Sequence, residues 1–327
     1  MFLQQLQEDI RWGMIVGFLL PAVMLVLAAW LLGTAPLPLA DPEISEVSTE
    51  PQTAVTVSLL RETTEAQLEI EEYIMGVILA EMPAGFEMAA LQAQAVVART
   101  YACKAILSGG KHGNGSLCSQ PSCCQGYLSA DAYLANGGTQ HGIDRIGEAV
   151  RATAGQVLTY QDELIEATYF SCSGGMTEDA VAVWGTDYPY LQAVESPGEE
   201  NAVHFEDTVL LTAEEFRHLL GQDLPEDPNT WIGDVSHTAG GGVDTIRIGN
   251  CIYSGKTLRA MLDLKSTAFT IDILGDTIQI TTRGYGHRVG MSQYGADAMA
   301  MSGSGYVEIL KHYYPGTQLQ SAEKFIR

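Results

Sequence analysis

No charged side chain occurs between Trp12 and Leu32, and that run constrains the chain more than any other feature. A helix of ~20 apolar residues spans the hydrocarbon core of a bilayer, and a proline such as Pro21 is better tolerated in lipid than in a soluble helix. A cleaved signal peptide has a shorter apolar stretch of ~7–15 residues behind a basic start. Here Glu8 and Asp9 precede the run and Arg11 is the only basic residue before it. The segment therefore predicts an uncleaved transmembrane anchor over 12–33, with 1–11 cytoplasmic and the bulk of the chain outside. Residues 34–54 carry Pro36, Pro38, Pro42 and Pro51 among Ser, Thr and Glu and read as a flexible linker. An extracytoplasmic domain is expected over 55–327.

Composition narrows the partners. With 40 acidic against 17 basic residues the net charge is -23, too few cations for a nucleic-acid-binding surface. Hydrophobic content of 46% fits a folded domain. Val55, Val57 and Leu59 alternate as in a strand. Ile70, Ile74, Val77 and Ile78 recur at helical spacing up to Pro83, and an Ala-rich helix follows over about 87–107. Strand-like segments then occupy 156–160, 164–170, 245–248, 269–274 and 277–282. Short helices are expected at 211–220, where Thr212 and Glu215 have capping-box spacing, and at 295–302 and 306–313. The expected class is α+β: one N-terminal transmembrane helix followed by a single mixed helical and β-rich domain.

Glu81 stands out against this pattern. It lies four residues after Val77 and seven after Ile74, on the apolar face of its helix. Burial raises a carboxyl pKa, which suits proton donation to a leaving oxygen near neutral pH. A buried structural Glu paired with Arg99 is the plainer alternative.

Three blocks carry more information. Residues 72–105 read EYIMGVILAEMPAGFEMAALQAQAVVARTYACKA, residues 167–197 read ATYFSCSGGMTEDAVAVWGTDYPYLQAVESP, and residues 283–316 read RGYGHRVGMSQYGADAMAMSGSGYVEILKHYYPG. In this order they resemble the stage II sporulation protein D family. The resemblance implies a lytic transglycosylase that cuts peptide-stripped peptidoglycan between N-acetylmuramic acid and N-acetylglucosamine during engulfment, with Glu81 of the EMP motif as acid and base. It also implies two partners, the stage II sporulation protein P amidase and the membrane protein M, and a place in the mother-cell membrane facing the intermembrane space. Arg99, Ser171, Ser173, His287 and Gln293 are the candidate substrate contacts, with a structural salt bridge the alternative for Arg99 and a plain tight turn the alternative for Ser171 and Ser173; Tyr285 and Tyr294 are candidates for stacking on sugars or else core aromatics. Asp187 and Glu195 are available as a second acid if the reaction is hydrolytic. The chain has Arg288 where the family pattern has Gly. Some family members are described as amidase enhancers, so a non-catalytic role is the competing expectation.

Between 109 and 127, His112, Cys118 and Cys124 fall at intervals of six, with Cys123 beside the last. One His and three Cys make a tetrahedral zinc set, with His141 as a fallback ligand. A disulfide of Cys118 with Cys123 or Cys124 is the alternative. The position after the ARTY helix resembles a zinc-binding insertion in some clostridial members. The expected zinc is structural, and a catalytic zinc would need an open coordination position.

Overall fold

The computed structural model describes residues 55–60 and 65–326, within a compact unit that runs Thr53–Arg327. Strand β1 (Thr56–Leu60) pairs antiparallel with β2 (Glu65–Glu69), which leads directly into α1 (Ile70–Glu81). Tyr73, Ile74, Val77 and Ile78 of α1 are fully buried. The helix stops because Met82 precedes a proline and takes an extended conformation. Helix α2 (Met88–Ser108) is the central rod. Its small side chains Ala90, Ala93, Ala95, Ala98 and Ala102 have no exposed surface, so neighbouring backbones approach closely. Gly109, in a left-handed conformation, closes it.

The chain continues through β3 (Leu117–Cys118), parallel to β1, then α3 (Ala130–Ala135), α4 (Gln140–Ala152), β4 (Gln156–Tyr160), β5 (Glu163–Leu164), β6 (Tyr169–Phe170) and α5 (Ala180–Trp184). The segment 164–170, read as one strand, is two. Leu164 pairs with β4, whereas Tyr169 and Phe170 pair with β13 (Met291–Ser292), so the backbone changes partner between them.

Residues 206–283 build a second hydrophobic core, separate from the first and inserted in the sequence between its segments. They comprise β7 (Glu206–Thr212), α6 (Ala213–Leu220), β8 (Ile232–His237), β9 (Val243–Ile248), β10 (Cys251–Ser254), α7 (Gly255–Met261), β11 (Phe269–Leu274) and β12 (Thr277–Arg283). Sheets β11-β12-β7 and β10-β9-β8 enclose Phe216, Trp231, Ile246, Ile248, Leu258, Ile278 and Ile280. The Thr212–Glu215 capping box forms as expected. The Gly284 amide donates to the Phe205 carbonyl at 3.0 Å and ties the two ends of this insertion together. Helices α8 (Gln293–Met301) and α9 (Tyr306–Tyr313) and strand β14 (Gln318–Ser321), paired with β4, return to the main core.

The expected fold class needs correction. The described residues form a mixed helix-and-strand unit with two cores, and no helix among them is long and apolar enough to cross a membrane. The transmembrane helix is not part of the fold this structure supports. Residues 12–33 and the linker lie outside the described residues.

Candidate active site

Glu81 is the last residue of α1, and its carboxylate lines a groove of about 860 Å³. Oε1 accepts the Gly126 amide at 2.5 Å. Burial raises the Glu81 pKa, with the Gly126 amide and the Tyr169 hydroxyl pulling the other way. A Cβ at residue 126 would stand 2.7 Å from Oε1, so this contact requires glycine. The neighbouring Gln125 is buried between two tyrosines. Its Oε1 accepts from the Tyr73 hydroxyl at 3.2 Å and its Nε2 donates to the Tyr169 oxygen at 3.3 Å. A polar chain thus runs from the α1 core through Gln125 to the residue that faces Glu81.

Tyr101, Tyr169, Phe170, Trp184 and Tyr285 supply aromatic walls. Trp184 is 44% exposed and Tyr285 41%, available to a ligand that offers an apolar face to a ring. Glu81 is the one carboxylate among the described residues lining the groove.

Ser171, His287 and Gln293 also line it. His287 packs edge-on against Phe170 and tilted against Trp184, at centroid distances of 5.7 and 5.4 Å. Its Nδ1 accepts the Val289 amide at 3.1 Å. Burial, and then the Arg259 charge, lower its pKa to about 4, so the ring is neutral. Gln293 is 6% exposed, and its Nε2 is buried without a hydrogen-bond partner among the described residues.

Two expected contacts are corrected. Arg99 is fully buried. It meets Glu71 through Nε at 2.9 Å and Nη2 at 2.6 Å and donates to the carbonyls of Ala95, Gln156 and Val150. Every direction of its guanidinium is used inside the core, so it holds neither Glu81 nor a sugar. Ser173 is also fully buried. Its amide and hydroxyl both donate to Glu199 Oε2, at 2.6 and 3.0 Å, which turns it away from the groove. Tyr294 packs edge-on against Phe86, and neither Asp187 nor Glu195 lines the groove.

Arg288, where the family pattern has Gly, sits at φ +64 and is 3% exposed. Its Nε donates to the Ser173 carbonyl at 2.8 Å, and its Nη2 donates to the Met176 and Gly240 carbonyls at 2.7 Å each. It stitches the 173–176 turn to the insertion. The left-handed backbone explains why glycine suits this position.

His112, Cys118, Cys123 and Cys124 place one donor atom each within 4.8 Å of one another. Cys123 Sγ lies 3.4 Å from His112 Nε2 and 3.9 Å from Cys124 Sγ. A tetrahedron with zinc–sulfur bonds of ~2.3 Å has edges of ~3.8 Å, so the donor set fits that ion. All four belong to one short stretch, in which the amides of Cys123 and Cys124 both fold back onto the Gln120 carbonyl. The six cysteines are all free, with no disulfide among the described residues, and His141 lies outside the cluster. Cys123 and Cys124 line the groove and lead within two residues to Gly126.

Residue-by-residue reading missed Gly126, Gln125, Tyr169, Trp184 and Arg259. Tyr169 and Trp184 lie in the 167–197 block without a chemical signal of their own. Gly126 and Gln125 adjoined the cysteine cluster, but only the fold brings them to Glu81. Arg259 comes from the insertion.

A family model described as stage II sporulation protein matches residues 61–160. The stage II sporulation protein D of Bacillus subtilis is 39% identical over 264 residues, covering 79% of this chain and 76% of that protein. Its counterpart in Bacillus amyloliquefaciens is 35% identical over 294 residues, covering 88% and 83%. The Bacillus subtilis amidase enhancer is 29% identical over 305 residues, covering 76% of this chain and 40% of that longer protein. The chain belongs to the stage II sporulation protein D family.

Proposed function

We propose that this chain is a lytic transglycosylase that cleaves peptide-stripped peptidoglycan strands outside the cytoplasm during sporulation, with Glu81 as acid and then base. The observation that carries this reading is a lone carboxylate of raised pKa beside an aromatic-walled groove. Protonated Glu81 gives its proton to the glycosidic oxygen as the C1–O bond breaks and positive charge develops at C1. The Gly126 amide and the Tyr169 hydroxyl stabilise the carboxylate that remains. That carboxylate takes the proton of the substrate's own C6 hydroxyl while O6 bonds to C1, closing a 1,6-anhydro ring. The nucleophile belongs to the substrate, so no second carboxylate is required; a hydrolase of the usual kind uses a pair. Ser171 and Gln293, which line the groove, are suited to polar groups of the sugar, and Trp184 and Tyr285 to its apolar faces.

Zinc held by His112, Cys118, Cys123 and Cys124 would cross-link the loop that ends at Gly126. Four protein donors fill a tetrahedron, so the role assigned to the ion is structural. An amidase that removes the peptides, the stage II sporulation protein P, is the partner this substrate requires, and protein M is the further member proposed for the assembly.

Mass spectrometry of peptide-free strands treated with the full-length chain tests the reading. Products ending in 1,6-anhydro sugars, absent with Glu81→Gln, are expected. Reducing ends would instead mean hydrolysis. The similarity to an amidase enhancer supports a second reading. It would prevail if neither protein gave products and both accelerated a partner amidase.

A further inference from the structure

Two cations line the groove, Lys111 from the cysteine loop, whose Nζ donates to the Cys123 carbonyl, and Arg259 from the insertion. Arg259 of α7 lines the groove in a chain of net charge -23. Its Nε donates to the Leu264 carbonyl at 3.3 Å, and it makes no ion pair among the described residues. Among the described arginines, Arg99 pairs with Glu71, Arg247 with Asp234, Arg283 with Glu206, and Arg288 lies 4.0 Å from Glu178, whereas Arg145, Arg151 and Arg217 share with Arg259 the lack of an acidic partner but do not line the groove. Lys265, a few residues after Arg259, stands 5.7 Å from the centroid of Tyr285, another groove residue, and also lacks an acidic partner. The half-buried guanidinium of Arg259 has given up part of its hydration without a protein carboxylate in return. Partial desolvation of an unpaired cation is unfavourable unless a ligand anion completes the site.

We infer that Arg259 reads the charge of the substrate, pairing with the lactyl carboxylate that each muramic acid residue exposes once its peptide has been removed. The inference rests on the glycan-binding reading of the groove. On a peptide-bearing strand the same carbonyl carbon is an uncharged amide, followed by bulk that a walled groove must exclude. Arg259 is therefore a specificity residue for stripped strands, and it acts on binding rather than on the bond-breaking step. Neutral His287 lies close to it, and no acidic side chain in the groove lining apart from Glu81 competes for the guanidinium.

The test separates binding from cleavage. Equilibrium binding is measured with full-length Glu81→Gln protein and two probes: peptide-free strands with free lactyl carboxylates, and the same strands with those carboxylates converted to methylamides. The free-acid strands are expected to bind at least about tenfold more tightly, the scale of one charge-assisted hydrogen-bonded pair, with the preference shrinking as salt is raised. Adding Arg259→Gln should erase the preference and Arg259→Lys should restore part of it. Arg247→Gln, which removes the same charge away from the groove, should leave it intact. Thermal midpoints within a few degrees of the parent confirm folded variants, and Arg259→Lys serves as the test should Arg259→Gln unfold. Where the chain cleaves, Arg259→Gln should raise KM about tenfold and change kcat about twofold or less. A preference that survives both substitutions, or none in the parent, overturns the inference. If wild type releases no products but the preference depends on Arg259, the cleavage reading fails and the charge-reading site stands. If anhydro products form and Arg259 makes no difference, the reverse holds.

Discussion

The Gly126 amide donates to Glu81 Oε1 at 2.5 Å, and a methyl group at residue 126 would approach the same oxygen to 2.7 Å. The contact holds the carboxylate, and a side chain at 126 could enter only by displacing it. Gly126→Ala needs no unusual backbone angle, yet forces the carboxylate or the loop to move. Misplacement by about 1 Å costs roughly 100-fold in rate. The expected outcome is a loss of that order in kcat on peptide-free strands, with a thermal midpoint within a few degrees of wild type.

The pH dependence follows from the direction of the Glu81 shift. Burial raises its pKa, so the proton donor is present at low pH and kcat should fall as pH rises through that value. Displacing the Gly126 amide removes a bond to the charged form, so residual activity in Gly126→Ala should persist to higher pH. Folding is linked with the same sign: the native state binds the proton more tightly than the unfolded chain, so stability declines from the ordinary glutamate range up to the raised value. Glu81→Gln should be increasingly stabilised relative to wild type across that window, as urea titrations at several pH values would show.

Metal content has a direct readout. One equivalent of zinc per chain is expected by elemental analysis, and a strong chelator should lower both the thermal midpoint and activity. The activity loss follows because Cys124 is two residues from Gly126. Cys118→Ser should reproduce the effect. Activity and midpoint unchanged by complete metal removal would leave the cluster without the proposed role.

Arg99→Met tests its reassignment from substrate to core. It leaves Glu71 without its ion-pair partner and removes one donor from each of three carbonyls. A destabilisation of about 3 kcal/mol, the low end for breaking a buried pair, is expected by denaturant unfolding. The folded fraction should retain the wild-type KM, since Arg99 does not line the groove.

Arg288→Gly relieves a left-handed backbone but removes three hydrogen bonds to carbonyls and the cation nearest Glu178. The bonds outweigh the strain, which is of order 1 kcal/mol. A net loss of about 2 kcal/mol is expected, at roughly 1 kcal/mol for each bond. Hydrogen exchange should rise in residues 173–176 and 238–242, the turns Arg288 ties together.

Local sequence determined a large part of this molecule. The period of Ile74, Val77 and Ile78 and the stop before Pro83 define α1 and place Glu81 at its end, because helix geometry relates residues a few positions apart. The alternation at Ile278 and Ile280 marks β12, and the His and Cys spacing marks the cluster, for the same short-range reason. Family membership was legible in three blocks of chemistry-bearing residues. What tertiary structure decided was which of those residues meet. Arg99 and Glu81 occupy neighbouring helices, yet Arg99 turns to Glu71, fully buried, while Glu81 takes the backbone of Gly126, 45 positions onward. Ser173 and Arg288 fold inward to satisfy buried oxygens. Arg259 reaches the groove from an insertion whose separate core no periodicity announced. Partners far apart in the chain are chosen by packing and by the need to pair every buried polar group, and neither requirement is written in the spacing of residues along the chain.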